Sequence, residues 1–136
     1  MIITTASAAA AVILGPHGER IRLRCLARRS MLAGACESFD HLRLSPGAHH
    51  VLPGQNETEN VLYVLRGSLL VGGSPDEPDH LAVDGDLLLA RRGTPLHLDA
   101  GPLGAELLCL ALAAPRRASA TRDALARRRA ERRTRP

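Results

Sequence analysis

The sequence predicts an all-β fold, an antiparallel sandwich or barrel, and two observations carry that prediction. Short apolar runs recur from the N terminus to Leu112, and each is too short for a typical helix. Turn-forming residues, mostly Gly, Pro, Ser and Asp, separate these runs at close intervals, as at 45–47, 66–67, 72–78 and 100–102. Many short strands with closely spaced turns are typical of antiparallel sandwiches and barrels.

The strands are predicted from alternation and from run length. Met1–Leu14 is apolar and Ala-rich and is predicted as a first strand with its lead-in. From Arg20 to Cys25, apolar residues alternate with arginines, the pattern of a half-buried strand. The segment Met31–Glu37 fits a loop or a helical turn equally well. The later predicted strands are 41–44, 61–65, 69–71, 80–83, 87–90, 96–98 and 107–112.

The chain has 136 residues, which is the size of one domain, and it divides by charge. Residues 1–114 are predicted as the β domain and carry a net charge of −3, whereas 115–136 form a tail with nine arginines and a net charge of +7. Ser119 would cap a helix through Arg133. The tail is interpreted either as a solvated segment or as an arm for an acidic partner or nucleic acid.

Composition excludes several function classes. Phe39 and Tyr63 are the only aromatic residues, so stacking platforms for single-stranded nucleic acid and aromatic sugar-binding clefts are not expected. Every basic residue is Arg, a bias typical of GC-rich bacterial genomes. The three cysteines show no metal-ligand spacing, which predicts a reduced, cytoplasmic protein. No run reaches the length of a membrane span or has the pattern of a signal peptide.

The spacing of the central segment resembles the first motif of the cupin superfamily. That motif runs Gly, five residues, His-x-His, three or four residues, Glu, six residues, Gly; here Gly47, Pro53, Gln55, Asn60 and Gly67 stand at those positions. The resemblance implies a small antiparallel jelly-roll β-barrel, followed here by the basic tail.

The second cupin motif is also matched in spacing. It runs Gly, five residues, Pro-x-Gly, two residues, His, three residues, Asn; here Gly85 opens it, Gly93 follows, and Leu96 and Ala100 stand where the family has His and Asn. In cupins, three His and one Glu hold a divalent metal. Because Pro53 and Leu96 offer no ligand and amides are weak donors, no metal centre and no cofactor are expected.

Two predictions follow for the barrel interior. The first is a metal-free site for a small organic molecule, lined by Gln55, Asn60, His49 and His97, with His49 placed inside by its parity with Pro53 and Gln55. This hypothesis implies an accessory, cyclase-like or isomerase-like protein of a bacterial biosynthetic pathway, with no catalytic residue assigned. The second is a metal-dependent, dioxygenase-like cupin with displaced ligands from the set His49, His50, Glu57, Glu59 and His97.

The orientation of His97 depends on the strand around it. If Leu96 faces inward, His97 faces outward, unless a bulge near Thr94 and Pro95 rotates it. Tyr63 has the opposite parity to Asn60 and is expected outside the cavity. Exposed strand edges and outward Leu and Val predict a homodimer, and a dimeric scaffold whose tail binds an acidic partner is the third interpretation.

Overall fold

The computed structural model describes residues 10–53, 58–73, 76–90 and 92–113, and these form an antiparallel β structure. The predicted tail, 115–136, and Gln55 lie outside the described residues. A 3-10 turn at Arg29–Met31 follows the second strand. The strands are β1 Ala11–Leu14, β2 Arg20–Arg28, β3 Cys36–Leu44, β4 His49–Leu52, β5 Glu59–Gly72, β6 His80–Val83, β7 Leu87–Ala90 and β8 Leu96–Leu112.

The two longest strands, β5 and β8, pair with each other and organise two layers. The large layer contains β1, β2, β3, the C-terminal half of β8, the N-terminal half of β5, and β7. The small layer contains β4, the N-terminal half of β8, the C-terminal half of β5, and β6. All pairings are antiparallel, as the sequence predicts, and the architecture is a jelly-roll-like barrel.

Each long strand contributes to both layers and bends from one layer into the other near a glycine. The sequence predicts turns at Arg66-Gly67 and at 100–102, and this prediction is wrong because β5 and β8 continue through them. Gly67 has a φ of 84°, the β5–β8 register shifts on both sides of it, and a Cβ there would collide with the carbonyl oxygen of Gly104. Glycine therefore lets the two backbones approach closely while the strands bend.

The inner faces of the two layers bury one common core. Leu62 and Leu107 from the large layer, and Leu69 and Leu98 from the small layer, are completely inaccessible to solvent. Their neighbours along each strand point outward, as the two-residue period of a strand requires. In the segment that the sequence left open, the 3-10 turn ends at Met31 and a loop follows to the start of β3.

Candidate functional site

The inner face of the small layer is apolar where the cupin resemblance places metal ligands. Leu96 opens β8 and is 9% exposed, and it pairs directly with Leu52, the last residue of β4. Leu52 packs against the core and is partly buried. The sequence placed Pro53 at the first ligand position, but Pro53 follows the strand and is exposed.

A cavity of about 440 Å³ opens beside Leu96. Its apolar wall comes from three strands: Val71 on β5, Leu88 and Ala90 on β7, and Leu96 on β8. Its polar groups are Thr94 before β8, and Glu77 and His80 near the start of β6. Ligand pockets in proteins typically enclose about 300–1,000 Å³ and combine an apolar lining with a few polar groups, so this cavity has the size and character of a small-molecule site.

Asn60 lies on the inward parity of β5, two residues before the buried Leu62, and is half-buried. It pairs with Ala90, which lines the cavity, so its backbone is next to the cavity wall. The structure therefore places Asn60 beside the cavity, next to its lining residues and not among them. Tyr63 is 41% exposed on the outer face, on the opposite parity to Asn60 as expected.

The prediction that His49 faces into the barrel is wrong. Along β4 the burial alternates, so that His49 is exposed on the outer face and His50 is half-buried on the inner face. His49, Val51 and Pro53 share one parity and all three are exposed, so the error was to place Pro53 on the inner face. Counting from Ala48, which is completely buried, gives the correct parity.

His50 is therefore the histidine of β4 that faces the interior. Burial, and secondarily the neighbouring charge of His49, lowers the pKa of His50 below its ordinary value of 6.5, which favours the neutral ring. A neutral imidazole both donates and accepts a hydrogen bond. His50 is absent from the predicted ligand-binding set; its shared parity with Leu52 is the signal that would have found it.

The prediction that His97 lines the barrel interior is also wrong: His97 faces outward, because Leu96 and Leu98 on either side of it face the core. On the outer face it lies beside His49, with ring centres 5.6 Å apart. His49 is also hydrogen-bonded to Asp99, with 2.6 Å between Nδ1 and Oδ1. His49 and His97 are thus brought together, but outside the barrel and away from Asn60.

The interior residues do not fit the divalent metal that cupins hold. The apolar wall of the cavity has no ligating side chain, and Glu77 and His80 at the same cavity supply one carboxylate and one imidazole, in place of the three His and one Glu of cupins. Among residues 10–53, 58–73, 76–90 and 92–113, no set of three or more His, Cys, Asp or Glu side chains is placed to ligate one metal ion together. In the same ranges, no helix has the length and apolar character needed to cross a membrane.

Comparison with solved structures identifies the fold. A protein named as a predicted oxalate decarboxylase from Thermotoga maritima superimposes with a TM-score of 0.70 at 15% identity, over 84% of this chain and 100% of that one. The polyketide cyclase RemF from Streptomyces resistomycificus gives 0.64 at 20% identity, over 84% of this chain and 80% of that one. The cupin domain of Cnp3 from Schizosaccharomyces pombe gives 0.59 at 12% identity, over 69% and 61%.

Sequence comparison adds nothing to this result. No protein-family model matches the chain, and a search of curated proteins finds no match. The structural similarities, all at 20% identity or less, establish the fold alone. On the strand order, the two layers and these superpositions, the chain is a small cupin-like domain.

Proposed function

We propose that this cupin-like domain binds a small, largely apolar organic molecule in the cavity beside Leu96, without a metal ion. The observation that carries the proposal is the lining of that cavity, in which leucine, valine and alanine occupy the wall and polar groups stand at its edge. Burial of apolar ligand surface supplies the affinity at about 25 cal/mol per Å². The polar groups then orient the ligand.

The polar groups suggest the chemistry of the ligand. The Thr94 hydroxyl and the His80 ring offer hydrogen-bond donors, and the Glu77 carboxylate is an acceptor. Asn60, on the inward parity of β5, lies next to this lining through its pairing with Ala90. A hydrocarbon skeleton that carries hydroxyl or carbonyl groups matches this lining, because its skeleton would meet the apolar side chains and its oxygens the polar ones.

An aromatic polyketide has this character, and one similar structure belongs to a polyketide cyclase. We therefore propose a cyclase-like or accessory role in a bacterial biosynthetic pathway, in which the cavity folds and holds a polyketide-like chain. The exclusive use of Arg over Lys and the three free cysteines agree with a bacterial, cytoplasmic protein.

A pair of variants on β7 tests the binding proposal. Leu88 lines the cavity and Leu87 is 60% exposed on the outer face, so a tryptophan at either position adds the same bulk in different places. With 1-naphthol as the probe, saturation-transfer NMR is expected to detect binding to the unmodified chain and to Leu87→Trp, but not to Leu88→Trp. Equal binding to both variants would show that the cavity is not the site.

We also propose a homodimer formed through the outer face of the large layer. Leu87, Leu89 and Tyr63 are 60%, 67% and 41% exposed there, and the register places Leu87 beside Tyr63. Val61 and Leu110 continue the same apolar surface and are partly buried. A second copy would cover these side chains and protect the edge strand β7.

A further inference from the structure

A cluster of titratable side chains lies on the outer face of the small layer, away from the cavity. His49 on β4 pairs in register with Asp99 on β8, and Val51 pairs with His97, so the two histidines are diagonal neighbours on adjacent strands. Their ring centres are 5.6 Å apart with an angle of 31° between the ring planes. The side chains of His49 and Asp99 are about half exposed, so solvent reaches the cluster.

Asp99 determines which nitrogen of His49 is available. An ionised carboxylate only accepts hydrogen bonds, so His49 Nδ1–H donates to Asp99 Oδ1 across 2.6 Å. In the neutral ring, the proton on Nδ1 leaves the lone pair on Nε2. A carboxylate that holds one imidazole nitrogen while the other binds a metal is the usual support of a metal-ligating histidine, and it makes the ring more basic.

A second carboxylate lies on the same face. Gly72 on β5 pairs with His97, and a Cβ on Gly72 would collide with the carboxylate oxygen of Asp79. Asp79 therefore covers the position beside His97 that a side chain at Gly72 would otherwise occupy. With Asp99 on the other side, two negative charges flank the two imidazoles and attract a cation to them.

We propose that His49 and His97 together bind one divalent late first-row transition-metal ion, such as Ni²⁺, Cu²⁺ or Zn²⁺, on the outer face of the small layer. Imidazole nitrogens bind these ions at about 2.0–2.1 Å, which places two rings that share an ion with their centres about 5–6 Å apart. The observed separation of 5.6 Å lies in that range. His49 binds through Nε2, and water completes the coordination.

This site is separate from the cupin metal centre and from the proposed ligand cavity. β8 carries His97 on its outer face and Leu96 and Leu98 on its inner face, so the sheet itself lies between the outer site and the cavity. Binding at the outer site therefore neither requires nor excludes a molecule in the barrel. A failure of one proposal leaves the other unaffected.

Titration of the untagged full chain with Ni²⁺ alone tests the proposal. NMR is the readout, because paramagnetic Ni²⁺ broadens the resonances nearest to it. We expect saturable binding of one equivalent, with broadening centred on His49, His97 and Asp99. His49→Ala and His97→Ala are each expected to weaken binding at least tenfold, and Asp99→Asn about 10- to 100-fold, the usual effect of losing a supporting carboxylate.

Two control variants separate this site from other histidines. His17→Ala removes an exposed histidine in the β1–β2 turn, and His50→Ala removes the histidine of β4 that faces inward; both are expected to retain the affinity. Absence of saturable binding up to about 1 mM Ni²⁺ would overturn the proposal. Loss of binding in His50→Ala with retention in His97→Ala would also overturn it, because it would place the ion inside the barrel.

Discussion

Leu52 and Leu96 face each other across strands β4 and β8, with both side chains on the inner face of the small layer. Leu96 stands at the position where the cupin resemblance places a metal-binding histidine. An apolar pair at this point leaves the interior of the barrel suited to hydrocarbon and unsuited to a divalent cation. The proposed function rests on the presence of leucine at the position where cupins have a metal-binding histidine.

Gly67 is expected to tolerate alanine poorly, because β5 bends there. The left-handed conformation alone costs a non-glycine residue about 1–2 kcal/mol, and at Gly67 an added methyl group also meets the backbone of Gly104. Gly85 is the matched control, with a φ of 85° and open space around its Cβ position. Urea denaturation is expected to show a larger loss of stability for Gly67→Ala than for Gly85→Ala. Equal losses would contradict the role assigned to the close approach.

His50 is expected to make the fold sensitive to mild acid. Its pKa is lowered in the folded chain by burial and by His49, so below pH 6.5 the unfolded chain takes up a proton that the folded chain resists. The contribution is therefore fully present above pH 6.5 and is lost as the pH falls toward the lowered pKa. His50→Gln is expected to reduce the fall in unfolding free energy between pH 7 and 5, measured by urea denaturation. An unchanged pH dependence would mean that His50 is solvated.

Cys109 is expected to resist thiol reagents in the folded chain. Burial, and secondarily Asp40, raises the pKa of Cys109 to about 12, so almost no thiolate forms at pH 8. Cys25 and Cys36 are only partly buried. Ellman's reagent at pH 8 is expected to modify at most these two thiols in the native chain and all three after denaturation. Rapid modification of Cys109 in the native chain would contradict its position in the core.

The proposed homodimer predicts that a charge on the outer face of the large layer separates the subunits. Leu89→Arg places a cation in the apolar surface formed with Tyr63 and Leu87, where it would lose its hydration on association. Leu81→Arg is the matched control, since Leu81 is 66% exposed on β6 in the small layer. Sedimentation analysis is expected to give a dimer for the unmodified chain and Leu81→Arg, and a monomer for Leu89→Arg. A dimer in all three would place the interface elsewhere.

The sequence was sufficient for the fold class because alternation and turn residues are local signals. Leu96 facing inward and His97 facing outward follow from alternation within one strand, and the structure agrees. The bend at Gly67 was missed because a glycine that allows two strands to approach has the same local sequence as a glycine in a turn.

Less of the candidate site could be predicted from the sequence. The orientation of His49 was wrong because the face on which its parity lies is set by the pairing of β4 with β8, which places His49, Val51 and Pro53 outward. The cavity is formed by residues far apart along the chain, such as Val71, Leu88 and Leu96, and no local pattern reveals their proximity. Likewise, the contact between His49 and Asp99 spans 50 positions and depends on strand register.

The most direct test of ligand binding in the cavity beside Leu96 is to locate a bound molecule by its effect on individual methyl groups. The chain would be labelled with ¹³C at its Leu and Val methyl groups, and the spectra recorded during titration with 1-naphthol. Saturable shifts are expected at Val71, Leu88 and Leu96, which line the cavity. Shifts confined to the exposed residues Leu81 and Leu87, which do not line the cavity, or no saturable shifts at all, would contradict the proposed site.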